Sequence, residues 1–357
     1  MEAPFPAPGQ LKLWAMQSLA HGADFISFFR WRTCTFGTEM YWHGILDYDN
    51  RDNRRLAEVR DFGDTMRKIA PLCGAEMKAR FAVVRDYDNE WDEEADRWHS
   101  LVARPSDEAI FEAAQLAHIS YDYLYLRKGT ELKELSRYKV LFYPHPMIVT
   151  PERAELLEEY VRQGGTLVIG CRAGYKDETG KCVMLPQPGL LQVLTGTDVR
   201  EFSFQNPAEE VLTADWDNEK IPMPVFHDIL DLTEEESDTL KVLARWYDHW
   251  FSGSAALVEK KTGSGRTLHL GSTFCRENLK KLFNYLGLDR LPDPIAELPE
   301  SVELAEREKD GKDYLVLLNY LPEEQTFTLK KEMCDLCSGE SLTGECRIKG
   351  YGVRVLA

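Results

Sequence analysis

No stretch of this sequence approaches the ~18 consecutive apolar residues that a membrane-spanning helix needs. Its first ten residues, MEAPFPAPGQ, lack the basic-then-apolar order of a secretory leader. Positive charge is scarce as well: 43 Lys and Arg stand against 60 Asp and Glu, a formal net charge of -17. Such a field repels phosphate backbones and anionic headgroups, so neither nucleic acid nor a membrane surface is an expected partner. Internal repeats, low-complexity tracts and blocks of like charge are missing, and with 43% hydrophobic residues the chain is expected to fold rather than stay disordered. Cysteine is never crowded. Eight are scattered over 357 residues, which reads as reduced thiols in a cytoplasmic protein. Cys334-Asp-Leu-Cys337 has the spacing of half a zinc site, but no second pair or neighbouring histidine completes it, so no metal is expected.

What is present reads as three parts. In the first, Leu11, Trp14, Ala15, Ser18 and Leu19 share one helical face between Pro8 and Gly22. Residues 24–32, Asp-Phe-Ile-Ser-Phe-Phe-Arg-Trp-Arg, form a short apolar run expected to be a strand buried on both sides. Leu56, Val59, Phe62, Met66 and Ile69 then recur at helical spacing until Pro71. One strand and one amphipathic helix make a single βα unit, which has nothing to pack on by itself and implies a larger sheet or barrel.

From about residue 78 the pattern becomes αβ repeats. Residues 82–84 read as a strand leading into Asp86-Tyr-Asp-Asn-Glu-Trp91, a helix is expected from near Ser106, and strands follow at 121–126 and 138–143. Thr150 is a good N-cap with Pro151 at the first helical position, Leu156, Leu157, Tyr160 and Val161 form the buried face, and Gly164 stops the helix before a strand at 166–169. Alternating strands and helices predict a mainly parallel sheet covered on both faces. Residues 255–259 and 266–270 flank a Gly-Ser-Gly turn and predict a hairpin. Pro292, Pro294 and Pro299 mark a linker, beyond which strands at 302–306, 314–319, 326–329 and 352–356 predict a small all-β domain.

The opening segment carries a family likeness. Pro8-Gly9-Gln10-Leu-Lys-Leu-Trp14, Ala20-His21-Gly22-Ala23-Asp24, Phe29-Arg30-Trp31-Arg32, Phe36-Gly37-Thr38-Glu39 and His43-Gly44-Ile45-Leu46-Asp47 resemble, in order and spacing, the last stretch of the catalytic barrel of glycoside hydrolase family 42. The middle region resembles that family's trimerisation domain, which has a glutamine-amidotransferase-like fold, and the terminal strands resemble its small β domain. The resemblance implies an α/β fold in three parts: a residual βα unit of a (β/α)8 barrel at 1–74, an αβα domain with a mainly parallel sheet at 75–291, and a small β-sandwich-like domain at 292–357.

The function so implied is retaining hydrolysis of terminal β-D-galactosides by an O-glycosyl hydrolase that works with two carboxyl groups about 5–5.5 Å apart. The resemblance places both glutamates on earlier barrel strands, upstream of the Pro8-Gly9-Gln10 segment, so no residue here is expected to be catalytic; Glu2 lacks a preceding strand and lies too close to Pro8. It also implies a homotrimer, no cofactor, and a surviving part of the galactoside rim. Trp31 would stack on a sugar face, Glu39 would accept hydrogen bonds from galactose hydroxyls, and either Trp42 or His43 would fill the remaining position. The competing expectation is a non-catalytic assembly or sugar-binding protein, inactive alone or complementing a separate barrel piece.

A rival chemistry rests on Ile169-Gly170-Cys171-Arg-Ala-Gly174, which puts Cys171 just past a buried strand, where amidotransferases carry a nucleophile. The second glycine stands one residue too far on for a Gly-x-Cys-x-Gly elbow, and His269 is followed by Leu270 and Gly271 rather than by the activating glutamate. No thiol catalysis is expected. Asp92, Glu93, Glu94 and Asp96 lack the alternate spacing of a calcium loop and read as solvated surface.

Overall fold

Strong local signals at both ends of the first helices fix their limits. α1 (Gln10–Ala20) starts after Gly9 and α2 (Arg54–Lys68) is capped by the Asn53 side chain, which accepts from the Leu56 amide. The computed structural model describes residues 5–42, 44–206 and 208–357 and divides the chain into two compact units. One comprises Met1–Lys78, Gln115–Ser120 and Arg290–Ala357; the other comprises Ala79–Ala114 and Tyr121–Asp289.

In the first unit, α1 buries Leu13, Ala15, Met16, Leu19 and Ala20, while Trp14 is exposed. The face expected from sequence, with Trp14 and Ser18 on it, is therefore rotated. The reason is what the helix packs on: Leu13, Met16 and Leu19 share a core with Phe62, Val316, Leu318 and Val355. The run 24–32 is also not the buried strand expected. It is extended but irregular, with one bridge, Arg32 to Leu46, and Phe25, Phe29 and Trp31 are exposed. A strand requires a neighbour along its length, and among the described residues these find a backbone partner at 44–46 alone.

Further strands of this unit begin with the short β1 (Glu76–Met77). The second unit opens with β2 (Phe81–Arg85), α3 (Tyr87–Ala95), α4 (Arg97–Leu116), β3 (Tyr121–Tyr125), α5 (Leu132–Leu135), β4 (Val140–Tyr143), α6 (Pro151–Arg162) and β5 (Thr166–Ile169). The expected helix near Ser106 starts nine residues earlier, at Arg97, and runs through Pro105. Asp86 caps α3 by accepting from the Asn89 amide, and Thr150 caps α6 by accepting from Arg153 with Pro151 behind it. β2, β4 and β5 are apolar on both faces, as parallel strands covered by helices must be.

After α7 (Gln192–Thr195) the chain continues as β6 (Thr197–Phe204), β7 (Thr213–Trp216), β8 (Glu219–Pro222), β9 (Phe226–Leu232), β10 (Leu240–Trp246), β11 (Ala255–Thr262), β12 (Gly265–Leu270) and α8 (Arg276–Leu286). Among the described residues the sheet order is β3-β2-β4-β5-β12-β11-β10-β7-β8, with β9 on β11 and β6 on β9. It is a mixed sheet. β3, β2, β4, β5 and β12 are parallel, and the remaining pairings are antiparallel. The segments from 197 to 246, unread in the sequence, build that antiparallel half. The hairpin at 255–270 forms around Gly263 and Ser264; Gly263 has φ 60°, and a Cβ there would lie 2.5 Å from the Arg162 carbonyl oxygen.

Returning to the first unit, β13 (Ile295–Glu297), β14 (Val302–Lys309), β15 (Lys312–Asn319), β16 (Gln325–Cys334), β17 (Ser341–Ile348) and β18 (Val353–Leu356) form two antiparallel sheets, β1-β14-β15-β18 and β13-β16-β17. Asp310 and Gly311, both at positive φ, close the β14–β15 hairpin. Among the described residues, no helix is long and apolar enough to cross a membrane.

Candidate functional site

The described residues expected at the rim belong to the first unit: Trp31 is on one of two crossing segments, 30–33 and 44–46, and Glu39 and Trp42 are in the loop between them. The Arg30 and Trp31 carbonyls each accept a 2.7 Å hydrogen bond, from the Ile45 and Leu46 amides, and the Thr33 amide returns one to Leu46 at 2.9 Å. The crossing is tight enough to require glycine: a Cβ on Gly44 would lie 2.6 Å from the Arg32 carbonyl carbon and the Thr33 nitrogen. Behind it, the buried Arg55 guanidinium donates to the Gly44 and Ile45 carbonyls and pairs with Asp47 at 2.6 Å. The bracing holds a loop that carries little core of its own.

On this frame Trp31 is 61% exposed and presents its indole to solvent. Glu39 sits in a single 3-10 turn, Thr38–Tyr41, and its carboxylate is ion-paired with the Arg30 guanidinium. Trp42 follows that turn, with its amide on the Glu39 carbonyl at 3.0 Å and its ring exposed. His43 lies outside the described residues, as does Glu2. The structure thus joins Glu39 to the strand-like segment that bears Trp31, through Arg30, a residue whose role the sequence reading missed. Its signal was present: an arginine one residue before Trp31, with a single glutamate, Glu39, in the loop that follows. Chemically the arrangement offers a carboxylate acceptor, a guanidinium donor and flat apolar faces, the combination that binds a polyhydroxylated ring.

The rival centre has a histidine that sequence reasoning did not find. Cys171 is 0% exposed and packs on Val102 and Phe226. His145 lies past the end of β4, next to β5 in the sheet, so adjacent parallel strands bring its Nδ1 to 3.7 Å from the Cys171 sulfur. That nitrogen also lies 2.9 Å from the Cys171 carbonyl oxygen, so it carries the proton and cannot accept one from the thiol, while Nε2 accepts from the Ser106 hydroxyl at 2.7 Å. Burial pushes the Cys171 thiol well above its usual range and pulls His145 down to about 3. The residue at the turn with positive φ is Arg172, at 60°, not the cysteine. The cluster is packing, with no activated nucleophile.

The acidic cluster is more engaged than solvated. Asp92 and Asp96 clasp the Lys176 ammonium at 2.7 and 2.6 Å, Asp92 also holds His99 at 2.8 Å, and Glu93 pairs with Arg104 at 3.2 Å. The ion pairing is tertiary, so spacing along the chain carried no sign of it. Cys334 and Cys337 are free thiols, and no metal-binding cluster of His, Cys, Asp or Glu occurs among the described residues.

Three family models match in succession: beta-galactosidase over residues 2–69, beta-galactosidase trimerisation domain over 79–290, and beta-galactosidase C-terminal domain over 301–357. That order defines the class, glycoside hydrolases of the β-galactosidase type. The chain belongs to glycoside hydrolase family 42, the β-galactosidases, and corresponds to the C-terminal portion of its relatives. It is 29% identical over 356 residues to beta-galactosidase BgaB of Geobacillus sp. strain Y412MC61, covering 98% of this chain and 51% of the relative. It is 26% identical to beta-galactosidase BglY of Alicyclobacillus acidocaldarius, again over 98% and 51%. Among solved structures, the beta-galactosidase of the Antarctic haloarchaeon Halorubrum lacusprofundi superposes with a TM-score of 0.82 at 26% identity, over 99% of this chain and 50% of that one. The beta-galactosidase of Bacillus circulans sp. alkalophilus gives 0.83 at 25%, over 98% and 52%. The chain spans about half the length of the curated relatives it matches.

Proposed function

We propose that these residues supply the galactoside rim and the subunit-contact region of a retaining β-galactosidase. In this reading Glu39, steadied by Arg30, accepts hydrogen bonds from galactose hydroxyls, Trp31 stacks on the sugar's apolar face, and Trp42 or His43 completes the rim. The acid/base and nucleophile glutamates stand ahead of the Pro8-Gly9-Gln10 segment, where one protonates the leaving oxygen and the other forms the galactosyl-enzyme intermediate. The division at 1–74, 75–291 and 292–357 separates barrel end, trimerisation domain and small β domain. The enzyme is a homotrimer, and its eight free cysteines suit a reducing cytoplasm. The supporting observation is the Arg30–Glu39 pair beside an exposed indole on a braced loop with little core of its own.

The test is hydrolysis of a nitrophenyl β-D-galactoside by the protein containing this rim, wild type against Glu39→Gln. Loss of a charged hydrogen bond to substrate should lower kcat/KM by about 10–100-fold. An unchanged kcat/KM would remove Glu39 from the site. Light scattering on the same protein should return three times the protomer mass, and a monomer would end the trimer reading.

A further inference from the structure

The second unit carries a cavity of its own. It is a groove of about 710 Å³ in the second unit, at the carboxyl ends of β3, β2 and β4. There the strand order reverses: the chain steps from β2 to β3 on one side, then crosses to β4 on the other. Open αβ sheets bind ligands at such a point because the loops part there and leave a crevice.

One wall is aromatic. Tyr87 and Trp91, one turn apart on α3, hold their rings 5.7 Å apart and 28° from parallel, and both are more than half exposed. Opposite stand Arg127, Lys128 and Glu178, whose side chains make no hydrogen bond or ion pair among the described residues, beside Glu152 and the Arg153–Asp88 pair at 2.5 Å. Three acidic and three basic groups line the groove, so it carries no net field to select an ion. The amide of Arg153 at the start of α6 is already taken by Thr150 Oγ1, so that helix end offers an anion less than it otherwise would. Flat apolar faces ringed by unengaged donors and acceptors of both kinds suit a neutral polyhydroxylated ligand.

We propose that this groove is a second saccharide site, separate from the rim, which holds a neutral β-linked galacto-oligosaccharide on the Tyr87–Trp91 ledge. The galactosidase reading supplies only the identity of the sugar; the site requires no hydrolysis. It would keep an oligomeric substrate close to the enzyme while the rim engages one terminal unit.

The probe is β-1,4-galactotriose, titrated calorimetrically into the purified chain and followed by saturation-transfer NMR. Saturable binding is expected, weakened about tenfold or more in Trp91→Ala, where one stacking contact is lost, and largely restored in Trp91→Phe. Glu39→Gln should leave a binding event that Trp91→Ala removes, so failure of this site and failure of the rim reading are distinguishable. Binding that is lost in Glu39→Gln but untouched in Trp91→Ala would overturn the proposal. So would no binding at all, displacement of the sugar by inorganic phosphate, or a drop in assembly mass in Trp91→Ala, which would make the ledge a subunit contact.

Discussion

Residues 24–32 and 138–143 look alike in sequence, both short runs of aromatic and branched apolar residues, yet they end in opposite states. The second run supplies β4, whose Leu141 and Phe142 are fully buried and whose backbone pairs with β2 on one side and β5 on the other. The first leaves Phe29 70% exposed, and among the described residues its backbone hydrogen bonds outside the run go to 44–46. The difference teaches that an apolar run is a request for neighbours, and that only the rest of the fold decides whether they arrive. In this chain the exposed run carries the proposed rim, and the buried runs carry the scaffold.

The sharpest way to break this comparison is to truncate an aromatic in each run. Phe142→Ala should destabilise the αβ unit by about 3–5 kcal/mol, because a fully enclosed ring leaves a cavity. Phe29→Ala should stay within about 0.5 kcal/mol, as other exposed substitutions do. Denaturant unfolding of both variants checks this, and equal losses would mean the run 24–32 is buried in solution.

A second experiment uses pH. Asp228 is buried without full compensation: Oδ2 accepts from the Arg172 amide at 2.8 Å, Oδ1 has no partner, and desolvation lifts the carboxyl to about 7. The folded state therefore keeps a proton that the unfolded chain releases near 3.8, so this group's contribution is fully present below about pH 4 and is lost as pH rises to about 7. The buried histidines His145, His227 and His269, held neutral down to about 3, 4 and 3, act in the opposite sense and cost stability as pH falls below 6.5. Asp228→Asn should thus gain on the wild type by a few kcal/mol, roughly, between pH 5 and pH 8. Urea melts at the two pH values that showed a constant difference would place Asp228 in contact with water.

The smallest effect separates local from tertiary causes. Asn53→Ala and Thr150→Ala each remove a helix N-cap, one in each unit. The cap itself should cost about 1 kcal/mol in each, and Asn53→Ala also removes the hydrogen bond that Asn53 Nδ2 donates to the Ile45 carbonyl at 3.0 Å, so it should cost somewhat more. Denaturant melts that showed a smaller loss for Asn53→Ala than for Thr150→Ala would mean that the context of 24–53 weakens even its local interactions.

Much of the fold was legible because its signals are short in range. The cap at Thr150, the stops at Gly164 and Pro71, the hairpin around the Gly-Ser-Gly turn, and the apolar parallel strands are each written within a few residues. The order and spacing of the segments from Pro8 to Asp47 were enough to suggest the family and to nominate Trp31 and Glu39. What was misread depended on distant partners. α1 turned a different face inward because its neighbours are β15 and β18, and α4 ran through Pro105 because packing outweighed one missing hydrogen bond.

By itself, then, the sequence determined the local caps and stops, the αβ character of the middle and the β character of the end, and it nominated Trp31 and Glu39 as rim candidates. Only tertiary structure decided that Arg30 holds Glu39, that His145 meets Cys171 without activating it, that Asp92 and Asp96 close on Lys176, and that three strand ends open a groove beside Tyr87 and Trp91. The reason is distance along the chain. Caps and turns are settled by residues three or four apart, whereas sheet pairing, burial and ion pairing join residues tens of positions apart, and those are fixed only when the whole core closes.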